Sequence, residues 1–374
     1  MKLSVKLAGA AFLSVACGTA PRAEPERPVA SPRTTPEPTA AAPASTSTQG
    51  AAPAAANVAP ATPEPHVKFP PADLTPPEPR SAQPDDGKWQ PLGDATRGDR
   101  AAGEPRLLYY TRIHPHAVSK FKTVTVVAID LQRASLGIVA GVDEPESKTV
   151  TKEERSGLVP ASEQERLLAV FNGSWQARHG HYGMMKDGAE YLPPREDACT
   201  LGIARDGSVQ LASWPKLSAA APRLQAWRQA PSCILEEGKL HPELERNDDR
   251  RWGGKDPKRQ TRRRSAIALG GDGKVLFYGF GDETTVKELA LGLRSAGATS
   301  AAQLDINYYW VRFLLFGQVG ADPLRVTSTL IPKMEHRKRG YVHLAEPRDF
   351  FYVLRKPSDA AHDGSDAARP AVNP

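Results

Sequence analysis

The sequence lacks several features that mark common protein classes. No apolar run approaches the roughly 18 residues of a membrane-spanning helix, which excludes a multi-span membrane protein. Cysteine occurs three times and never as Cys-X-X-Cys, which argues against a thiolate zinc site. There is no Gly-rich dinucleotide fingerprint and no regular strand–helix alternation, so a nucleotide-binding fold is not expected. We expect neither a metal nor a cofactor.

Proline is sparse in most of the chain and concentrated near its start. Of the 35 prolines, 18 lie between Gly18 and Pro91, and 17 are spread over the remaining residues. A segment of Pro, Ala, Thr, Ser and Glu cannot bury enough apolar surface to offset its ordering entropy. The composition predicts a signal peptide at 1–17, a disordered linker at 18–96, one domain at 97–357 and a disordered tail at 358–374.

The first 17 residues are typical of an export signal. Lys2 and Lys6 precede a short apolar stretch, and small residues stand just before Cys17. This arrangement resembles a bacterial lipoprotein signal, in which the cysteine is lipidated; the alternative is ordinary secretion with a chance cysteine at the cut. We therefore expect an exported protein of the cell envelope that contacts the membrane only through a lipid on Cys17.

Two further cysteines remain if Cys17 carries lipid. Cys199 and Cys233 would then form an even pair in an oxidising compartment, which favours a disulfide. Two buried free thiols are the alternative, because the distance between them cannot be read from the sequence.

The fold class follows from many strand-like segments and few helices. Asp206-Gly207 and Asp272-Gly273 each lie between two β-like segments and predict hairpins. Other segments rich in β-branched, aromatic or apolar residues predict strands. The pattern predicts an α+β domain with mixed β-sheets and a few helices. The predicted single strands are 107–113, 123–131, 134–141, 167–171, 301–305 and 350–354.

One helix is well marked. Thr285 and Glu288 have the spacing of a capping box, and apolar residues follow at helical spacing up to Leu293. Gly297 is placed to end the helix in a left-handed conformation.

Several segments, taken in order, resemble the phosphodiester glycosidase family, which removes N-acetylglucosamine from a sugar phosphodiester. The resemblance covers roughly residues 107–355 and rests on the order of the motifs. It implies an α+β glycosidase-like hydrolase that acts on a glycan or sugar-phosphate substrate. The matching segments are Phe171–Trp175 (FNGSW), Tyr182–Gly188 (YGMMKDG), Arg264–Ala268 (RSAIA), Ala301–Asp305 (AAQLD) and Arg348–Phe351 (RDFF).

The chain departs from the family at one motif. After Leu304-Asp305, three glycines are expected, but Ile306, Asn307 and Tyr308 stand there. Glycines let backbone amides approach an anion, which larger residues do less readily. The difference leaves a second interpretation open, a non-catalytic envelope domain that binds glycan or a partner protein.

Cleaving a sugar from a phosphodiester needs a carboxylate and fixed donors for the phosphate. Asp305 is the predicted catalytic carboxylate, with a loop-capping aspartate as its alternative role. Arg264 is the predicted phosphate ligand, because a guanidinium fork matches phosphate oxygens. Asn172 could orient substrate hydroxyls or build the turn that follows its strand.

Further candidate site residues lie in other segments of the chain. His181 is a possible general acid, and a strand would place it on one face with His179. Lys186 and Asn307 are candidate substrate contacts, although Lys186 could simply lie at a hairpin tip. Residues 308–310 (YYW) could form a sugar-stacking platform or part of an apolar strand.

The basic run at residues 258–264 does not predict nucleic-acid binding. Acidic residues precede it, no aromatic stacking motif accompanies it, and an exported domain rarely meets nucleic acid. We interpret most of the run as a solvated loop.

Overall fold

The computed structural model describes residues 67–93, 105–254, 261–318 and 321–357. These residues all belong to one compact unit, which spans Glu64–Pro374. The predicted signal peptide with Cys17, the linker up to residue 66 and the tail at 358–374 lie outside the described residues. None of the described helices is both long and apolar enough to span a membrane.

Strands dominate the described residues, and α-helices are few, which confirms the predicted α+β class. The three α-helices are α1 Trp214–Leu217, α2 Pro242–Glu245 and α3 Val286–Ser295. The strands, in chain order, are β1 Gln90–Pro91, β2 Leu108–Ile113, β3 Val124–Asp130, β4 Ala134–Val139, β5 Leu167–Asn172, β6 Met184–Lys186, β7 Ala189–Leu192, β8 Cys199–Ala204, β9 Val209–Ser213, β10 Leu224–Ala230, β11 Leu235–Glu236, β12 Lys239–Leu240, β13 Arg262–Gly270, β14 Val275–Thr284, β15 Ala298–Gln303, β16 Phe313–Gly317, β17 Arg325–Thr329 and β18 Phe350–Arg355.

The strands form three sheets. The large sheet has the order β1-β2-β3-β14-β13-β15-β11-β12, the β10 sheet has the order β7-β6-β10-β8-β9, and the β5 sheet has the order β17-β16-β5-β18-β4. Every ladder between these strands is antiparallel, and the parallel pairings in the described residues are two isolated bridges. The sheets are thus more uniform than the mixed arrangement expected from the sequence. Both predicted hairpins are present, as β8–β9 and β13–β14.

The large sheet is buried on both faces. On one face Ile129, Ile267 and Tyr278 join a hydrophobic cluster with side chains of the other two sheets. On the opposite face the sheet packs against Leu289 and Leu293 of α3. Because both faces are covered, the central strand β13 has almost no polar–apolar alternation: eight of its nine residues are buried.

Helix α3 begins and ends as predicted. Thr285 Oγ1 accepts a hydrogen bond from the Glu288 amide at 3.1 Å, and Glu288 Oε2 accepts one from the Thr285 amide at 2.7 Å. This reciprocal capping box satisfies two backbone donors at the start of the helix. Gly297 follows the helix with a φ of 98°, a conformation that glycine adopts without steric cost.

The last part of the predicted linker is packed on the domain. The Trp89 ring stacks on Phe277 at 6.4 Å, and β1 pairs with β2. Gln132 exchanges hydrogen bonds with the backbone of Val67. The ordered chain thus includes residues 67–93, and the predicted domain start at residue 97 is wrong. The prediction relied on the high proline content of this segment and overlooked apolar residues such as Trp89, which pack against the domain.

Cys199 and Cys233 form a disulfide, which confirms the predicted pairing. The bond joins the start of β8 to the segment that leads into β11, across 34 residues of sequence. It therefore ties the β10 sheet to the far end of the large sheet. Closing a loop of this length stabilises a fold by about 3–4 kcal/mol in the chain-entropy model.

Candidate functional site

The candidate site lies where the three sheets meet. Asp305 follows β15 of the large sheet, Asn172 ends β5, and Arg348 and Asp349 directly precede β18. These strand ends bring residues that are far apart in sequence into one narrow cleft, whose enclosed space is about that of one water molecule. The cleft is lined by Asn172, Gly173, Ser174, Asp305, Trp310, Tyr341, Glu346, Arg348, Asp349 and Phe350.

Asp305 has two distinct carboxylate contacts. Its Oδ1 accepts hydrogen bonds from the amides of Ile306 at 2.7 Å and Asn307 at 2.9 Å. Its Oδ2 accepts a hydrogen bond from Nη1 of Arg348. One oxygen thus builds the loop, as the alternative interpretation of Asp305 predicted, while the other takes part in an ion pair in the cleft.

Burial controls the protonation of Asp305, which is only 7% exposed. Loss of water raises the pKa of the Asp305 carboxyl above its ordinary value of 3.8. The charge of Arg348 and the two loop amides pull that pKa down, and the nearby Asp349 carboxylate adds to the rise. The net direction is upward, so Asp305 holds its proton to a higher pH than a solvated aspartate.

Arg348 is the cation of the cleft. Its guanidinium lies 4.5 Å from the centre of the Trp310 ring, and its pairing with Asp305 uses Nη1 alone. Within the described part of the chain, Nε and Nη2 of Arg348 make no hydrogen bond. Burial lowers the pKa of Arg348 below its ordinary value. The negative charges of Asp305 and Asp349 raise it by a smaller amount. Arg348 therefore combines a fixed position with donors that remain for an anion.

Ser174 supplies a hydroxyl beside the same cleft. The residue is 3% exposed, and its Oγ is buried without a hydrogen-bond partner among the described residues. A buried hydroxyl without a partner costs about 1–3 kcal/mol, so such groups are commonly satisfied by water or a ligand.

A fully buried ion pair lies beneath the cleft. Asp349 Oδ2 accepts hydrogen bonds from Nε of Arg228 at 2.9 Å and from the Ser174 amide at 3.0 Å. Gly173 packs against this carboxylate so closely that a Cβ there would lie 2.1 Å from Asp349 Oδ2. Arg228 also donates to the carbonyl oxygens of Tyr182 and Trp175. The pair thus fixes the backbone that carries the Ser174 hydroxyl.

Asn172 lines the cleft, but its amide is engaged within the protein. Its Nδ2 donates to Ser265 Oγ at 2.9 Å and to the Gly173 carbonyl at 3.0 Å. Its Oδ1 accepts from the Tyr278 hydroxyl at 3.0 Å and from the Arg312 amide at 3.1 Å. This full set of partners favours the structural interpretation of Asn172, which joins β5 to the large sheet.

Arg264 is not in the cleft, and its predicted role as a phosphate ligand is wrong. The side chain is fully buried and donates to Gln303 Oε1 at 2.7 Å and to the carbonyl oxygens of Trp252 and Thr284. Asp249 pairs with it at 3.3 Å. Burial lowers the pKa of Arg264 to about 10. Its neighbour Ser265 instead bonds Asn172, because successive side chains of a strand point to opposite faces.

Two other predicted site residues, His181 and Lys186, lie outside the cleft lining, as does His179. His179 belongs to a 3-10 turn and His181 has a φ of 48°, so the expected shared strand face does not form. His181 is exposed, and the geometry gives no support to a role as general acid. Lys186 ends β6 at a hairpin and pairs with Asp187 at 3.0 Å, as the alternative interpretation predicted.

Asn307 and the aromatic residues after it form a turn at the rim of the cleft. Asn307 Oδ1 accepts from the Tyr309 amide at 3.1 Å, which makes Asn307 a turn-forming residue. Tyr308 and Tyr309 are 51% and 60% exposed, while Trp310 lines the cleft. The expected extension of the apolar strand is wrong for these residues, since β16 begins only at Phe313.

Sequence reasoning did not identify Arg348 or Ser174 as site residues. Both stand inside segments that resemble family motifs, and that position is the signal that could have found them. Glu346 was also missed: it is 2% exposed and pairs with Arg312 at 3.5 Å and Arg337 at 2.7 Å at the wall of the cleft.

Together the groups of the cleft suit an anionic ester. A guanidinium with spare donors and an unpartnered hydroxyl can bind phosphate oxygens, because both donate to charged acceptors. The carboxylate of Asp305 lies beside them and can stabilise positive charge or act as a nucleophile when it is ionised.

Comparison with known proteins gives distant likenesses only. No family model matches this chain, and no curated protein matches it in sequence. The chain is similar to the catalytic domain of zebrafish N-acetylglucosamine-1-phosphodiester alpha-N-acetylglucosaminidase, auto-inhibited by its pro-peptide, at 13% identity and a TM-score of 0.42, covering 72% of this chain and 88% of that one. It is also similar to a protein of Synechocystis at 11% identity and a TM-score of 0.40, covering 68% of this chain and 65% of that one.

Proposed function

We propose that this chain is an exported, lipid-anchored hydrolase of the cell envelope that releases a sugar from a phosphodiester. The observation that carries the proposal is the Asp305–Arg348 pair, which lies beside the Ser174 hydroxyl in one cleft. The ordered sequence motifs supply the reaction class, and the cleft supplies groups that suit it.

In the proposed reaction the phosphate takes the spare donors of Arg348 and the hydroxyl of Ser174. As the phosphate charge attracts Arg348, Oδ2 of Asp305 is released toward the sugar. The bond between the sugar carbon and the bridging oxygen breaks, and its electron pair leaves on the phosphate. Ionised Asp305 stabilises the positive charge at that carbon or attacks it. Water then adds its oxygen to the carbon, displacing Asp305 if a bond to it has formed, and the proton lost by the water passes to the carboxylate or to the departing phosphate. A phosphate monoester leaves readily, so a strong general acid is not needed.

Export and anchoring are supported by features outside the cleft. The sequence before Cys17 is typical of an export signal, and disulfides such as Cys199–Cys233 persist mainly in oxidising compartments. Lipid on Cys17 would place the domain at an envelope membrane, where glycan phosphodiesters are substrates within reach.

A second candidate function is a non-catalytic domain that binds envelope glycan. The observation that favours it is the contact of Asp305 Oδ1 with the Ile306 and Asn307 amides, which leaves a single carboxylate oxygen for chemistry. The absence of the family's three glycines after Asp305 points the same way.

The two candidates are separated by assaying full-length protein with sugar-1-phosphodiesters, including a methyl diester of N-acetylglucosamine 1-phosphate. The hydrolase predicts sugar release, and Asp305→Asn, which keeps the size of the side chain, should lower kcat/KM by about a thousandfold or more. Measuring released sugar by chromatography gives the rate directly.

The matched control is His181→Asn, which changes an exposed residue outside the cleft and should alter the rate less than about twofold. Equal turnover by Asp305→Asn and the parent would remove Asp305 from the mechanism. Binding without turnover across the whole set of diesters would instead favour the glycan-binding domain.

A further inference from the structure

The turn that follows Asp305 displays aromatic side chains to solvent. Tyr308 and Tyr309 are half exposed or more, and they are neighbours in sequence. Their rings meet edge to face at 5.5 Å, so together they form one bent aromatic surface, which we call the tyrosine platform. Exposed tyrosines beside a cleft offer an apolar ring face and a polar hydroxyl, a combination that is common at ligand sites and interfaces.

The tyrosine platform is held in place by its own turn. The Trp310 amide donates to the Asn307 carbonyl at 2.9 Å, and Nε of Arg312 donates to the Tyr309 carbonyl at 2.9 Å. With the two amides bound by Asp305 Oδ1, these bonds fix the backbone on both sides of the platform. A rigid aromatic surface loses little conformational entropy when it binds.

Arg263 supports one face of the platform. Its guanidinium lies 3.7 Å from the centre of the Tyr308 ring and donates to the Tyr308 carbonyl at 3.3 Å. Asp282 in turn holds the guanidinium at 2.6 Å. The arginine covers one side of Tyr308, so the remaining exposed ring surface is available to a ligand.

The platform continues directly into the cleft. Trp310, the next residue, lines the cleft, and its ring centre lies 4.5 Å from the guanidinium of Arg348 and 4.8 Å from that of Arg312. A ligand whose phosphate reaches Arg348 can therefore extend along Trp310 onto the two tyrosines. The enclosed space between the groups of the cleft is about that of one water molecule, so most of a ligand whose phosphate meets Arg348 must lie at or beyond the mouth of the cleft.

We propose that the tyrosine platform binds a second sugar ring, so that the substrate is a phosphodiester carried by a glycan of at least two sugars. This inference rests on the proposed function. The apolar face of a sugar ring packs on Tyr308 and Tyr309, and the phenol hydroxyls meet the sugar hydroxyls. The specificity of the site then comes from a segment that replaces the glycines of the family.

The test is equilibrium binding to the full-length Asp305→Asn variant, which prevents hydrolysis. The probes are a single-sugar diester, the methyl ester of N-acetylglucosamine 1-phosphate, and two disaccharide diesters that carry the extra ring on either side of the phosphate. At least one disaccharide probe should bind more tightly than the single-sugar probe. Adding Tyr309→Ser should weaken that probe roughly three- to tenfold and leave the single-sugar probe unchanged.

Tyr309→Trp is the matched variant that keeps an aromatic surface, and it should retain the preference for the longer probe. Equal affinity for all three probes, or a preference that Tyr309→Ser leaves intact, would overturn the platform. Wild-type protein that releases sugar from the single-sugar diester while showing no preference would retain the hydrolase and discard the platform alone. Thermal melting of each variant confirms that it is folded, as expected for an exposed side chain.

Discussion

Two arginines of this chain, Arg264 and Arg348, occupy contrasting environments. Arg264 lies within the face of the large sheet near α3 and is bound by Gln303, by Asp249 and by backbone carbonyls. Arg348 lies in the cleft, pairs with Asp305 through one nitrogen and stacks on Trp310. An arginine whose donors meet protein acceptors stabilises the fold, whereas one with spare donors beside a cavity can bind a ligand.

The same contrast separates the Arg228–Asp349 ion pair from the Arg348–Asp305 ion pair. Arg228 and Asp349 are each 1% exposed, and further protein groups satisfy both of them. The side chains of Arg348 and Asp305 are 12% and 10% exposed and face the cleft. Arg348 and Asp349 are neighbours, so one residue before β18 builds the floor of the site and the other supplies its charge.

One substitution made at both arginines tests the contrast between them directly. Arg264→Lys should lower the free energy of unfolding by about 2–4 kcal/mol, because one ammonium cannot serve all the buried acceptors and each lost bond costs about 1–3 kcal/mol. Arg348→Lys keeps a cation beside Asp305 and should change stability by less than about 1 kcal/mol. Urea denaturation at constant pH measures both values.

The effect on kcat/KM should be larger for Arg348→Lys than for Arg264→Lys, the reverse of the effect on stability. Arg348→Lys loses the fork that binds phosphate oxygens and should lower kcat/KM by about tenfold or more, whereas folded Arg264→Lys should keep the parent rate. A stable Arg264→Lys variant with a reduced rate would reverse the two assignments.

Removing the disulfide tests whether the stability of the fold can be lowered without changing the rate of the reaction. Cys199→Ala together with Cys233→Ala should lower stability by about 3–4 kcal/mol, because the unfolded chain regains the freedom of a 34-residue loop. Neither cysteine lines the Asp305 cleft, so the folded variant should retain its rate.

Chemical denaturation of oxidised parent, reduced parent and double variant checks this prediction. The reduced parent and the variant should unfold at similar denaturant concentrations. A loss of rate in the variant at temperatures where it is fully folded would show that the cleft depends on the bond.

Local sequence signals predicted much of the fold. The capping box at Thr285 and the Asp-Gly turns at Asp206 and Asp272 act over a few residues, and the structure has the helix and both hairpins they indicate. Asp305 could be placed at a strand end because a short apolar run precedes it. The packed segment at residues 67–93 was missed, since its stability comes from contacts with distant strands.

The ligand residues of the cleft could not be assigned in the same way. Strand β13 is buried on both faces, so its sequence has no polar–apolar alternation to show on which face of the sheet the Arg264 side chain lies. Arg348 reaches Asp305 only because β18 inserts between β5 and β4, a pairing of segments far apart in sequence. His181 follows a 3-10 turn that breaks the expected strand periodicity. Tertiary pairing, not local pattern, decides each of these positions.

The smallest effect concerns the pH dependence that Arg348 imposes on Asp305. The proposed reaction needs ionised Asp305, so kcat/KM should fall as the pH drops through the pKa of this carboxyl. Burial raises that pKa above 3.8, so the acid limb should lie above the range of a solvated aspartate. Because Arg348 lowers the pKa of Asp305, Arg348→Gln should move the acid limb to still higher pH in addition to lowering the rate.

The matched control is Arg250→Gln, which removes an exposed arginine paired with Asp248 outside the cleft lining. Its acid limb should coincide with that of the parent, measured over the pH range in which all three proteins stay folded. If the acid limb of kcat/KM lies at the same pH in Arg348→Gln as in the parent, the group that titrates there is not Asp305. Arg348 would then resemble Arg264 in acting on the fold rather than on the reacting carboxylate, and the contrast between the two arginines would fail.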